Sequence, residues 1–425
     1  MPLKQGALCK PLMTIKIYFG ILSFMQDNKE LLTRCVANII PGKESLDSLL
    51  QSDQKLNIYF GIDPTMTKIH LGHTVPLRKL QAFAQRGHHV VFLIGDFTAL
   101  IGDTSDKEAE RPILTTEDIT SNFQTYKKQA EKILDFSKVE IRRNSEWLAT
   151  LTFEEVVKLT QHFSVGDFTS RELIKKRLTE GKRVGLHEFL YPVMQGFDSY
   201  SLDTDIQIGG TDQTFNMQAG RTLQKDLREK ESFVLTSPLL VGNDGRKMSK
   251  SLGNAIWVED EPFDMYRKAM AINDDLIIEY FTLATNVSLN EIEIIARALK
   301  NGDEPAIDVK KRLARQIVSE LHSVSDAEAA EEAFSRTVQR KELSTEEAEI
   351  ISYTGNTTEQ AETLIFALGV THSKAEAKRL IEQGGVEVDG KRIENANEEI
   401  KLNHTSLVKI GKRRLIKIST SSIQV

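Results

Sequence analysis

"YFGIDPTMTKIHLGHT", residues 59–74, is the stretch on which the reading of this chain turns. An apolar, β-prone run ends in Gly61-Ile62-Asp63-Pro64-Thr65, and His70 and His73 then bracket Leu71-Gly72. "NIYFGI" reads as a strand, and 73–86, with apolar Val75, Leu77, Leu80 and Phe83, as a helix. Two imidazoles with a glycine between them therefore stand where a strand gives way to a helix. In an open α/β sheet this is the edge where ligands bind, and unpaired helix N–H groups there suit phosphate. Three readings of the pair stay open on its own chemistry. The histidines donate to phosphate oxygens, with Gly72 bare so that a flat base can lie on the backbone. Or they are half of a metal site, for which no third ligand of obvious spacing follows. Or they are satisfied structural residues. Pro76 falls in the first turn, where its missing N–H does little harm.

Outward from this stretch, strand and helix alternate. "HHVVFLIGDF" (88–97) is apolar enough to be a strand buried on both faces. "NFQTYKKQAEKILDF" (helix), "VEIRRN" (strand), a helical region over 153–179, "DIQIGG" (strand), "TFNMQAGRTLQKDLRE" (helix) and "SFVLTSPLLV" (strand) follow. The pattern predicts an α/β fold with a doubly wound parallel sheet. Past about residue 260 the chain turns helical, and Val309, Leu313, Ile317 and Leu321 share one face opposite Lys311 and Arg315. A polar, acidic linker precedes a last compact unit.

The 425 residues, 40 % hydrophobic, suffice for two or three domains. A net charge of −6 shows no global basic field, so nucleic-acid binding would rest on local patches. Cys9 and Cys35 are the only cysteines, which excludes a disulfide framework and a cysteine-based zinc site and fits a reducing cytoplasm. "MTIKIYFGILSFM" (13–25) has too short an apolar core and no small-residue cleavage site for a signal peptide. The "MQDNKELLTRCVANII" that follows from Met25 is polar and helix-like. No run reaches the roughly 18 apolar residues of a membrane span.

A second motif narrows the first. "GNDGRKMSKSLGN" (242–254) follows the apolar "FVLTSPLLV" and sets Lys247 and Lys250 three apart in a Gly- and Ser-rich loop. Two cations there can close on a polyphosphate and stabilise a departing pyrophosphate. Alone, such a pair is usually a solvated face. Together with the histidines, at opposite ends of one alternating domain, it is far more specific.

With both motifs in view the chain resembles the class I aminoacyl-tRNA synthetases. "HLGH" is similar to their HIGH motif, and "KMSKS" matches their lysine-loop motif letter for letter. More narrowly it resembles the bacterial tyrosyl-tRNA synthetases, through "YFGIDPT", "LIGDTSDKEAER", "YPVMQGFDS" and "QIGGTDQ", over about residues 30–418.

This resemblance implies a Rossmann-like catalytic domain at 30–255, an α-helical anticodon-binding domain at 256–340 and a linker at 341–358. It further implies a small α+β S4-like RNA-binding domain at 359–418, leaving 1–29 as an N-terminal extension of low order. It implies that Tyr59 and Asp198 bond the hydroxyl of L-tyrosine, and that Asp103, Tyr191 and Gln195 hold its ammonium. A cluster of one anion and two neutral acceptors suits a cation. Tyr191, Gln195 and Asp198 also share a helix face at i, i+4, i+7 beside apolar Val193, Met194 and Phe197. Gly61, Asp63, Thr65, His70, Gly72 and His73 match the ATP side, Gly210, Asp212 and Gln213 the ribose and adenylate side, and Ser251 the lysine loop. Lys107 and Arg111 match cations of a pyrophosphate loop, in which Asp106 stands where the family often has glycine. ATP is then a substrate and Mg2+ arrives on its phosphates. The tyrosine carboxylate attacks the α-phosphorus without an enzyme nucleophile or base.

"TLIFALGVTHSKAEAKRLIEQGGVEVDGKRI" looks like an S4 domain. Ser373 would cap a helix bearing Lys374, Lys378 and Arg379, and a turn at Asp389-Gly390 would follow a strand. After Glu399 every charge is positive, at Lys401, Lys409, Lys412, Arg413, Arg414 and Lys417. Such a strip suits an RNA backbone. Asp274 lies near a position the family uses for anticodon contact. The implied partners are tRNA(Tyr) and a second copy of the chain as a homodimer, with no membrane. Tryptophanyl enzymes share the fold and chemistry, but the Tyr59/Asp198 pair favours a phenol. A small-molecule nucleotidylyltransferase would not need the tail, and a non-catalytic RNA-binding relative would show a damaged site.

Overall fold

The computed structural model describes residues 28–65, 67–103, 115–249, 252–339, 348–353, 355–356, 358–403, 405–411 and 414–420. Lys107, Arg111, Lys250, Ser251, Asp106 and the extension up to Asp27 lie outside them, as do Lys412 and Arg413. The chain divides into two compact units at Ala327/Glu328, so the helical segment through Ala327 belongs to the same unit as the α/β part.

The first unit is built on β1 (Asn38–Ile40), β2 (Asn57–Ile62), β3 (His89–Ile94), β4 (Val139–Arg143), β5 (Ile206–Gly210) and β6 (Phe233–Ser237). Their order is β1-β6-β5-β2-β3-β4, parallel except for β1, which runs antiparallel to β6. Strands β2 to β6 fall on the apolar runs that predicted them, and in β3 Val90–Ile94 are no more than 2 % exposed. The edge strand β1 corrects the helix-like reading of 25–40. Only Asn28–Leu31 of that stretch is helical among the described residues. A three-residue strand with one buried side chain, Ile39, carries no local signal, and it exists because Thr236 and its neighbours offer it a ladder.

Strand order reverses at β2, which has β3 on one side and β5 on the other. Parallel connections are right-handed, so the helices that follow β2 (Leu71–Gln85) and β5 (Thr214–Arg228) cover opposite faces of the sheet. A crevice is left at the carboxyl ends of β2 and β5, which is where ligands settle in such sheets.

The helical part packs on its expected stripe. In Ala306–Leu321, Val309, Leu313 and Ile317 are fully buried and Leu321 nearly so. Arg34 ties this part to the start of the described chain. Its guanidinium, 2 % exposed, donates to the carbonyls of Thr285 (2.6 Å), Val287 (2.5 Å) and Thr282 (3.2 Å). These lie at and just beyond the end of the Ile277–Ala284 helix, where carbonyls lack intrahelical partners. Lys79, fully buried, donates from Nζ to the Leu31 carbonyl at 2.6 Å, and burial pulls its pKa down to about 7. Asp274 pairs with Lys310 at 2.5 Å.

The second unit carries a five-stranded sheet ordered Lys391–Arg392, Val386–Val388, Thr405–Ile410, Arg414–Thr420 and Glu349–Tyr353. Its helices are Ala361–Ala367 and Lys374–Glu382. Leu364, Ile381, Val408, Ile416 and Ile418 form a fully buried core. Ser373 caps its helix as expected, accepting from the Glu376 N–H at 3.2 Å. Asp389 and Gly390 both take positive φ (48° and 82°), the two-residue hairpin turn that favours such a pair. No helix among the described residues is long and apolar enough to cross a membrane.

Replacing Arg34 with alanine strips several buried carbonyls of their donor at once. The expected cost is about 3 kcal/mol or more, read as a lowered midpoint in denaturant unfolding. A change under about 0.5 kcal/mol, the usual range for a surface substitution, would refute the anchoring role.

Candidate active site

Tyr59 sits on β2 opposite Gln207 of β5, and the cross-strand register brings its hydroxyl to donate to Gln207 Oε1 at 3.2 Å. Val91, Leu93, Trp147 and Leu202 pack around the ring. Burial and then the nearby Asp198 carboxylate push the phenol well above its ordinary range, so it stays protonated. Asp198, on the Leu186–Ser201 helix, is 3 % exposed. Its Oδ1 accepts from Trp147 Nε1 at 2.7 Å and its Oδ2 from Asn144 Nδ2 at 3.2 Å. Burial outweighs these bonds and pushes the carboxyl up to about 8.

Two turns back on the same helix face, Tyr191 donates to Asp63 Oδ2 at 2.9 Å. Asp63 Oδ1 accepts from Thr98 Oγ1 at 2.8 Å, and Asn144 Nδ2 donates to that hydroxyl at 2.9 Å. Asn144 thus links Asp63 to Asp198 through one amide. A Cβ on Gly95 would collide with the Asp63 carboxylate and the Thr98 hydroxyl. Asp103 accepts from Gln213 Nε2 at 2.6 Å, and Gln213 Oε1 accepts from Asn216 at 3.1 Å. The structure therefore joins residues that the motifs had assigned to separate groups: Tyr191 to Asp63, and Asp103 to Gln213. Gln195 is half-buried, and no described residue bonds its amide. Gly61 is exposed, and a Cβ there would make ordinary van der Waals contact with the Tyr59 ring at 3.6 Å and with Leu93. Thr65 is half-buried just past Asp63, its N–H on the Asp63 carbonyl at 2.8 Å.

His70 precedes the Leu71–Gln85 helix and His73 lies in its first turn, their ring centroids 3.8 Å apart. His73 Nδ1 accepts the His70 backbone N–H at 3.1 Å, which leaves its proton on Nε2 and free to donate. His70 Nδ1 is buried with no partner among the described residues, and Trp257 packs edge-on against its ring at 5.7 Å. Gly72 leaves room for that ring, since a Cβ would lie 3.0 Å from it. Burial, with His73 and Lys247 adding to it, holds His70 at about 2, and burial holds His73 at about 4. Both are neutral at pH 7. Lys247 is exposed on the hairpin that bridges Val241 to Lys247, close enough to His70 for its charge to be felt. Gly210 ends β5 with Asp212 in the turn beyond it, where a Cβ on Gly210 would collide with the Asp212 carboxylate.

Several residues escaped the sequence reading. Trp147 and Trp257 are the only tryptophans of the chain, and both border the crevice. Gln207 is a lone polar residue inside the apolar strand "DIQIGG", which was a usable signal for an inward partner. Asn144 and Thr98 had none, because nothing local distinguishes them from loop residues. Beside Asp212 lies an open cavity of about 510 Å³, lined by Thr211, Thr214, Ser170 and Arg171, whose guanidinium stacks 4.7 Å over the Phe215 ring. Among the described residues no group of three or more His, Cys, Asp or Glu side chains could hold a metal ion.

Asp198 provides a pH test. Its carboxyl titrates near 8 in the folded chain against 3.8 for the free side chain, so between those values the folded state holds a proton the unfolded state has released. Its contribution to stability therefore falls as pH rises from about 4 to about 8 and is flat above. Thermal unfolding of wild type and Asp198→Asn should show wild type losing ground to the variant from pH 5 to 8. A difference independent of pH would contradict the raised carboxyl.

The family model for "tRNA synthetases class I (W and Y)" matches residues 51–339, and that for "S4 domain" matches 362–405. A tyrosine–tRNA ligase of Symbiobacterium thermophilum is 40 % identical over 400 residues, covering 92 % of this chain and 98 % of that protein. One of Photobacterium profundum is 42 % identical over 387 residues, covering 91 % and 96 %. The crystal structure of a C-terminally truncated mitochondrial tyrosyl-tRNA synthetase of Coccidioides posadasii superposes with a TM-score of 0.60 at 23 % identity, over 74 % of this chain and 92 % of that one, and shares its fold. A doubly wound sheet with paired histidines at its switch point, matched along nearly its whole length, places this chain in the class I tRNA synthetases, among the tyrosine–tRNA ligases.

Proposed function

We propose that the protein activates L-tyrosine with ATP to tyrosyl-AMP, releasing pyrophosphate, and then transfers the tyrosyl group to the 3′ end of tRNA(Tyr). The observation that carries this reading is the buried Tyr59/Asp198 pair, with Tyr59 on the strand whose carboxyl end leads into the neutral His70/His73 pair. A phenol hydroxyl entering there meets a hydroxyl and a carboxyl already oriented by Gln207, Trp147 and Asn144. An indole or a bare phenyl ring would leave those buried groups short of a partner, which costs more than the contact is worth.

The substrate ammonium is assigned to Asp103, Tyr191 and Gln195, and the nucleotide to Gly61, Asp63, Thr65, Gly72, Gly210, Asp212 and Gln213. In the first step the tyrosine carboxylate oxygen bonds the α-phosphorus while the bond to the bridging oxygen of pyrophosphate breaks. His73 donates from Nε2 to a phosphate oxygen, and the unpartnered His70 Nδ1 supports a ligand at this position. Neutral imidazoles donate without competing for the tyrosine carboxylate. Lys247, joined by Lys250, Ser251, Lys107 and Arg111 of the matching motifs, stabilises the pyrophosphate charge. Mg2+ comes in on ATP, for which no protein cage is required. The cavity under Arg171 beside Asp212 suits the incoming nucleoside of the tRNA end in the second step.

Residues 30–255 are assigned to catalysis, 256–340 to the anticodon and, beyond the linker, 359–418 to RNA. In the last, Lys374, Lys378 and Arg379 ride on one helix, while Arg414 is partly neutralised by Glu349 at 2.9 Å. The working form is a cytoplasmic homodimer. Phe153 (83 % exposed), Val165 (78 %) and Leu186 (79 %) leave more apolar surface within one stretch than an isolated subunit needs, which supports pairing there.

Tyrosine-dependent exchange of pyrophosphate into ATP tests the reading, with tryptophan and phenylalanine run in parallel. Exchange with tyrosine alone is expected. Folded protein that exchanges with none of the three would overturn it. Tyr59→Phe should keep exchange but lower the preference for tyrosine over phenylalanine by about 10-fold, the worth of one hydrogen bond to a substrate.

A further inference from the structure

The lysine loop is held by one side chain to which no role has been given. Asn254 is 3 % exposed and ties three points of the loop. Its Oδ1 accepts the Ser249 N–H at 2.9 Å. Its Nδ2 donates to Asp244 Oδ1 at 2.8 Å and to the Lys247 carbonyl at 3.2 Å. Asp244 in turn accepts Arg246 Nε at 2.8 Å and the Arg246 N–H at 3.1 Å. Bonds from Asn254 and then Arg246 hold the Asp244 carboxyl at about 2, so it remains an anionic acceptor throughout the neutral range. The hairpin is shaped around this clasp. The Gly242 N–H reaches the Arg246 carbonyl at 2.7 Å, Gly245 takes φ +81°, and a Cβ on Gly242 would collide with the Asn254 amide.

We infer that Asn254 is a positioning residue for Lys247: its amide clasps Asp244, Lys247 and Ser249 and so fixes the backbone from which the Lys247 ammonium reaches the phosphates. This rests on the activation reaction proposed above. An amide suits the task because the site asks for one acceptor and two donors at once. Aspartate at 254 would keep the acceptor for Ser249 but bring a second carboxylate against Asp244 and lose the donor to Lys247. Alanine would remove the acceptor that Asn254 offers the Ser249 N–H and the donor it offers the Lys247 carbonyl. A lysine on a loosened loop still carries its charge, but it no longer holds that charge where the transition state develops it. Displacements of this kind lower the chemical rate more than they lower binding.

The test is the single-turnover rate of tyrosyl-AMP formation in wild type, Asn254→Ala, Lys247→Ala and the double variant, with Kd for tyrosine measured alongside. Asn254→Ala should slow the step on the order of 10²-fold and leave tyrosine affinity unchanged. The double variant should be no slower than Lys247→Ala, because the clasp acts only through that lysine. Multiplying effects in the double variant, or an unaltered rate in Asn254→Ala, would overturn the inference. Should Asn254→Ala fail to bind tyrosine at all, Asn254→Asp, which keeps the volume and the Ser249 contact, takes its place under the same criteria. Wild type that forms no tyrosyl-AMP would refute the proposed function, whereas active wild type with additive variants refutes only the clasp.

Discussion

The reversal of strand order between β2 and β5 is the constraint on which the site depends. Were β5 to continue the sheet beyond β4, its following helix would cover the same face as the others and the carboxyl ends of the strands would be roofed. With β5 beside β2, two right-handed crossovers diverge, and a crevice is left beyond the carboxyl ends of the two strands at Ile62 and Gly210. Into that gap the chain brings the start of one helix, with His70 and His73, and the middle of another, with Tyr191 and Asp198.

A gap between apolar strands is a poor medium for charge, and the polar groups around it are organised accordingly. Asp63 and Asp198 are never bare: each oxygen is met by a hydroxyl, indole or amide donor, and Asn144 serves both chains of bonds. Such networks are stable only when every member is satisfied, which is why Gly95 must stay small enough to let Asp63 and Thr98 meet. The same dryness keeps the imidazoles neutral and the phenols protonated. The groups around Tyr59 and Asp198 thus meet one another by hydrogen bonding, while formal positive charge stands on exposed Lys247 and on Arg171 beside Asp212.

Rigidity is graded in the same direction. The strands and the two helices carry the buried hydrogen-bonding groups, and the Lys247 cation is on a hairpin. That hairpin is nevertheless closed by specific polar contacts around Asn254 rather than left to its glycines. At the far side of the unit Arg34 and Lys79 anchor the segment before β1, joining the sheet to the helical part through buried donors to backbone carbonyls.

Periodicity and motif spacing were enough to determine the parallel strands, the amphipathic Ala306–Leu321 helix, the Ser373 cap and the Asp389-Gly390 turn. Each is a local property, set by the residue's own backbone preference or by neighbours within a turn. Tertiary structure alone decided the rest. β1 forms because Thr236, far along the chain, lies beside it. Trp147, Asn144 and Thr98 become parts of the site because the ends of β3 and β4 bring them against the Leu186–Ser201 helix. The protonation of Asp198, His70 and His73 follows from burial, a quantity that belongs to packing and to no stretch of sequence. Residue types can say which groups are able to do the chemistry, but the water excluded around them determines in which ionic state they do it.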